Sequence, residues 1–170
     1  MTVVTVTRTY LQVVRPDQLS GAALDRSVSL ERADLCPPSF YRQLYADVGR
    51  EFHWRDRMNW TDEEITSYLA QSEVSLWVAR VNGQVAGYFE LRADPDHSTE
   101  IVYFGLLPSF TGKGLGKQLL TAAVARAWAG DATRVWLHTC TLDNPAALPN
   151  YLARGFKAFR QEQYEVTLPD

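Results

Sequence analysis

From residue 3 to residue 14, valines, threonines and larger apolar side chains take turns, the period of two expected of a strand. Arg15-Pro16-Asp17 ends it, and residues 16–38 carry turn formers and little periodicity up to Cys36-Pro37-Pro38. The period then becomes helical. Phe40, Leu44, Tyr45 and Val48 share one side of a helix that Ser39 would cap and Gly49 would stop. Thr61-Asp62-Glu63-Glu64 has the spacing of a capping box, with Trp60 and Ile65 placed as a hydrophobic staple, and predicts a helix to about Gln71. Alternation returns over Val74–Val81 and Gln84–Leu91, joined by the hairpin pair Asn82-Gly83. Asp94-Pro95-Asp96 turns the chain into a third strand, Thr99–Leu107, so the middle of the chain predicts an antiparallel meander.

Beyond Pro108 the chain passes through Gly112-Lys113-Gly114-Leu115-Gly116-Lys117 directly into a helix over about 114–129. Leu115, Leu119, Leu120, Ala123, Ala127 and Trp128 line its apolar face, and Gly130 ends it. A strand at 133–139 follows, parallel to its predecessor because a helix connects them. Asn144 would cap a last helix with Pro145 in its first turn, and Pro149 predicts a kink or a distorted start. Gly155-Phe156 closes that helix, and Lys157–Leu168 makes the final strand.

The glycine turn carries the first chemical signal. Glycines at alternate positions let main-chain N–H groups approach a ligand, and the following helix begins with unpaired donors and a partial positive charge. With Lys113 and Lys117 on either side, this suits a phosphate. A P-loop would need glycine at Thr111 and Ser or Thr at Gln118; a dinucleotide fingerprint would need glycine at Lys117 or Leu119. Both fail. An ordinary glycine-rich turn with solvated lysines stays open on local sequence alone.

Composition narrows the classes. A chain of 170 residues that is 46% apolar can bury one core, giving a single domain over 1–170. The net charge of −3 argues against nonspecific nucleic-acid binding. No apolar run reaches bilayer length and the first residues lack a signal pattern, so no membrane association is expected. Cys36 and Cys140 read as free thiols of a reducing cytoplasm, and scattered His53, His97 and His138 give a metal site no support.

The element order and two motifs resemble the GNAT superfamily of acyl-CoA-dependent N-acyltransferases. The turn is similar to that family's pyrophosphate loop, Gln/Arg-x-x-Gly-x-Gly/Ala, with its glycines at Gly114 and Gly116. Thr111 stands where the family has a basic or amide residue, keeping a donor but losing charge and reach. Asn144-x-x-Ala147-x-x-x-Tyr151-x-x-x-Gly155-Phe156 matches the family's late segment at every named position, and Val135–Pro145 is similar to a bacterial subgroup. The resemblance is weakest over residues 1–70, where acceptor specificity usually lies.

The resemblance implies an α+β (α/β) fold: a mixed, mostly antiparallel central sheet of six to seven strands flanked by about four helices. It implies acetyl transfer from acetyl-CoA, as co-substrate and without metal, to the amine of a small molecule or peptide by direct attack. The cofactor contacts fall on Leu106, Leu107, Thr111, Gly112, Lys113, Gly114, Leu115, Gly116, Lys117 and Asn144, with the Leu106 N–H facing the thioester oxygen as charge develops. An amine of pKa ~10.4 is only about 1 part in 2500 neutral at pH 7, a handicap of roughly 4.6 kcal/mol, so a general base is useful. Glu100 is the first candidate, with Glu90 and His138 as alternatives; Tyr151 is the candidate acid for the thiolate. The aromatic and charged stretch 52–60 is a candidate acceptor wall, or simply an anchor for a long loop. Members are often dimers, which leaves a homodimer open. The competing reading is a noncatalytic acyl-CoA-binding module.

Overall fold

The computed structural model describes residues 1–170 throughout. One sheet holds seven strands: β1 (Thr2–Val13), β2 (Val28–Arg32), β3 (Val74–Val81), β4 (Gln84–Ala93), β5 (Ser98–Leu106), β6 (Arg134–Cys140) and β7 (Lys157–Leu168). Four helices flank it: α1 (Pro38–Gly49), α2 (Asp62–Leu69), α3 (Leu115–Ala129) and α4 (Ala147–Ala153). The strands lie in the order β2-β3-β4-β5-β6-β1-β7, and only β5 and β6 are parallel neighbours. This is the mixed, mostly antiparallel architecture that the alternation pattern and the family resemblance implied. No helix is long and apolar enough to cross a membrane.

Adjacent residues of a strand point to opposite faces of its sheet, so they report two cores. On β4, Phe89 packs with Leu119, Leu120, Ala123 and Val124 of α3, whereas its neighbour Tyr88 packs with Tyr41, Leu44 and Val48 of α1. Helices therefore cover both faces: α3 and α4 on one, α1 and α2 on the other. Each fully buried Leu or Phe stabilises by about 1.5–3 kcal/mol, so these two clusters hold the sheet between them.

Local signals placed most boundaries within a residue or two. Asn82 and Gly83 both adopt positive φ, 50° and 85°, as a two-residue hairpin needs. The Thr61–Glu64 capping box forms as the spacing implied. Three details differ. Strand β2 lies inside 16–38, where five residues at a sheet edge leave little period to read. Helix α1 starts at Pro38, one residue before Ser39, and has no side-chain cap; a proline suits that first position because its missing N–H would have no partner. Helix α4 starts at Ala147, not at Asn144, so Pro149 falls in its first turn and breaks no hydrogen bond. Asn144 instead closes a turn, its Oδ1 accepting the Ala146 N–H at 2.9 Å.

The feature that makes a site is a split in the sheet. Strands β5 and β6 pair only at Ser98–Arg134, Thr99–Val135 and Glu100–Trp136. Just beyond, the β4–β5 register shifts between Glu90 and Leu91, opposite Tyr103 and Ile101. Such a bulge bends its strand and increases its twist. It carries β5 away from β6 and leaves residues 101–106 without a partner on that side.

Candidate active site

A cavity of about 760 Å³ fills the split. One wall is the free edge of β5. The Leu107 N–H donates to Ala86 O on β4 at 2.8 Å, so by strand alternation the Leu106 N–H points the opposite way, into the split. The Leu107 N–H is thus engaged, its carbonyl accepts the Phe110 N–H, and the residue does not line the cavity.

The floor at one end is the glycine turn. Gly112 and Gly114 hold φ of 74° and 81°, left-handed values that strain any other residue, and a Cβ on Gly112 would project into open space. Helix α3 follows with no side-chain cap, so its first-turn N–H groups remain free. Gly112, Gly114, Gly116, Lys117, Thr111 and Asn144 all line the cavity. Leu115 is buried in the core and offers only its main chain, while Lys113 lies outside, near the Phe110 ring. The loss of Lys113 matters little. An exposed ion pair is worth about 0–1 kcal/mol, against about 1.5–3 kcal/mol for a hydrogen bond to a charged group. The Thr111 hydroxyl is turned inward, donating to Pro108 O at 2.8 Å, so it braces the turn. Free amides, a helix N-terminus and an open strand edge thus suit a diphosphate with a peptide-like arm.

Tyr151 reaches the cavity from α4, its ring held edge-on to Phe104 at 6.2 Å. Burial pushes its phenol well above the usual value, and the charge of Asp143 adds to the push. It therefore stays protonated at neutral pH and can donate.

The other end is assembled from distant segments. Trp54 sits against Gly49, where a Cβ would fall 2.4 Å from the indole, and packs on Tyr103 at a ring distance of 4.8 Å. Its Nε1–H donates to Asp143 Oδ1 at 3.4 Å, tying the 50–60 loop to the β6–α4 turn. Asp143 Oδ2 also accepts the Cys140 N–H, at 3.2 Å, and the Thr139 hydroxyl. The loop is fastened below by Arg57, which is 9% exposed and donates to the fully buried Glu90 at 2.6 Å. Tyr41 and Tyr68 complete the satisfaction of Glu90 at 2.8 and 2.7 Å, and the Arg57 guanidinium lies over the Trp60, Tyr68 and Tyr103 rings. Glu90 is thus committed to holding the loop and does not line the cavity.

Glu100 does not line it either. It is buried, and one oxygen pairs with Arg92. Burial raises its carboxyl above the usual range against the opposing charge of Arg92. Its other oxygen lies 3.9 Å from Nε2 of His138, which does line the cavity. The imidazole is partly exposed, but desolvation at the cavity wall lowers its pKa and the charge of Arg8 lowers it further, against Asp143 and Asp56. His138 is therefore neutral at pH 7, with Glu100 behind it. Sequence reasoning missed Asp143, Arg8, Asn150 and Arg154, which share the cavity because the fold gathers them across long separations.

A model of the acetyltransferase (GNAT) family matches residues 41–156. A protein of Mycobacterium tuberculosis described as an uncharacterised N-acetyltransferase is 30% identical over 99 residues, covering 58% of this chain and 63% of that protein. The match thus spans under two thirds of the relative. A conserved protein of unknown function from Staphylococcus epidermidis superposes with a TM-score of 0.71 at 20% identity, over 96% of this chain and 61% of its own. An aminoglycoside acetyltransferase from an uncultured soil metagenomic sample, solved with sisomicin, gives 0.61 at 17% identity, over 76% and 89%.

Proposed function

This chain belongs to the GNAT family of acetyltransferases, and from that premise we propose that it transfers an acetyl group from acetyl-CoA to a primary amine by direct attack in a ternary complex. One observation supports this most: the uncapped start of α3, the free edge of β5 and the Tyr151 phenol open into a single cavity. Acetyl-CoA supplies an activated acyl group with a thiolate leaving group. The amides at 114–117 hold its diphosphate. The Leu106 N–H meets the thioester oxygen as negative charge grows there. The amine enters past Trp54 and Asp56, and its proton passes to His138, with Glu100 behind it to stabilise the imidazolium. Tyr151 donates its proton to the departing sulfur. The cytoplasm is the proposed location.

The test is release of free thiol from acetyl-CoA with a panel of amines, including a polyamine, an aminoglycoside and a lysine peptide. Turnover with at least one is expected. Coenzyme A binding without turnover on any amine would return the noncatalytic reading. Tyr151→Phe should lower kcat by ~10²-fold and leave coenzyme A affinity nearly unchanged. Wild-type turnover in that variant would remove Tyr151 as the acid.

A further inference from the structure

We infer that Arg154 holds a phosphate group of coenzyme A, supplying from α4 the side-chain charge that position 111 lacks in the glycine turn. The inference rests on the acetyl-CoA reading above. Ala147, Asn150, Tyr151 and Arg154 all face the cavity. Their spacing of three, four and seven residues makes them one stripe of a helix, so Arg154 shares the side that carries the candidate acid. Asn150 marks where that stripe meets α3: a Cβ on Gly116 would lie 3.7 Å from its Nδ2. Arg154 is one helical turn, about 5.4 Å, further on, a gap that an arginine side chain spans.

The guanidinium itself is unspent. Of the other arginines lining the cavity, Arg57 pairs with Glu90 at 2.6 Å, Arg8 pairs with Glu162 at 3.3 Å although its Nε also lacks an acceptor, and Arg55 belongs to the 50–60 loop at the far end. Arg154 has no carboxylate partner, and its Nε is sealed from solvent with no acceptor. A buried N–H left unpaired costs free energy, and a long arginine stem ordinarily lets the head escape to water. A phosphate in the cavity meets the two terminal guanidinium nitrogens, which unlike Nε are not sealed, and the planar fork of an arginine matches two phosphate oxygens at once. The Thr111 hydroxyl is committed to Pro108, and Lys113 lies outside the cavity, which leaves Lys117 as the other side-chain cation beside the turn.

Calorimetric titration with coenzyme A and with dephospho-coenzyme A, which lacks the 3′-phosphate, tests the assignment without turnover. Arg154→Gln should bind coenzyme A about 10-fold or more weakly than wild type. A penalty that disappears with dephospho-coenzyme A assigns Arg154 to the 3′-phosphate; one that persists assigns it to the diphosphate. Wild-type affinity of the variant for both ligands overturns the inference. If Arg154→Gln melts early, Arg154→Met keeps the apolar stem and gives the same readings. A wild-type protein that bound no coenzyme A would instead remove the acetyltransferase reading itself.

Discussion

The two ends of the cavity are built by opposite means. The cofactor end is mostly main chain drawn from one continuous stretch, residues 106–117, completed by one face of α4. The acceptor end is side chain drawn from β1, the 50–60 loop, β6 and β7, and it is held by contacts such as Trp54 to Asp143 across 89 residues. A binding surface made of amides tolerates almost any side chain except where φ is positive, so its signature is glycine spacing. A surface made of side chains depends on what the fold brings together. On the proposed reading, substrate choice can vary at one end while the cofactor grip at the other stays fixed.

The sharpest way to break this division is to release the loop. Glu90 and Arg57 are both buried and hydrogen-bonded to each other, so Glu90→Gln leaves an uncompensated guanidinium beside three aromatic rings. Removing one partner of such a pair costs about 3–5 kcal/mol. Urea unfolding should show that loss, and the acceptor end should suffer before the glycine turn does. A variant with wild-type stability but no turnover would contradict the clasp and restore Glu90 as a base.

The same division explains what could be read without a structure. The Thr61 cap, the Asn82-Gly83 hairpin and the α3 turn are decided by neighbours in sequence, and all three were legible. Strand β2 was not, because five edge residues gain their order from pairing with β3 rather than from their own pattern. Sequence put Glu100 ahead of Glu90 and His138, but what separates the three is facing, which strand position does not give. Glu90 turns to Arg57, Glu100 to Arg92, and only His138 meets the cavity. Leu107 shows the same point: strand position alone does not say that β4 already uses its amide.

A milder change separates the two ends without unfolding either. Trp54→Phe keeps an aromatic ring packed at a tilt against Tyr103 and deletes the N–H that reaches Asp143. A typical intramolecular hydrogen bond contributes about 1 kcal/mol, and 3.4 Å is at the long end for one. The amine KM should therefore rise by about 5-fold or less, while coenzyme A affinity measured by titration stays the same. Equal losses in both would mean that the indole braces the whole split rather than the acceptor side.

The smallest expected effect decides which group takes the amine proton. Burial, then the positive charge of Arg8, lowers the His138 pKa below its usual value. Arg8→Gln removes that charge and leaves Glu162, still held by Tyr10 and Arg160, with less of its charge neutralised, and that carboxylate favours the imidazolium. Both changes raise the His138 pKa, so more of the imidazole is protonated at a given pH. The acid limb of kcat, measured at saturating amine, should move to higher pH in the variant, with the alkaline side unchanged. Glu100 is governed chiefly by burial and by Arg92, with Asp94, Glu90 and Arg57 after them, and Arg8 is not among these leading influences. If Glu100 were the base, the limb would stay where it is, and an unmoved acid limb would return the role from His138 to the carboxylate behind it.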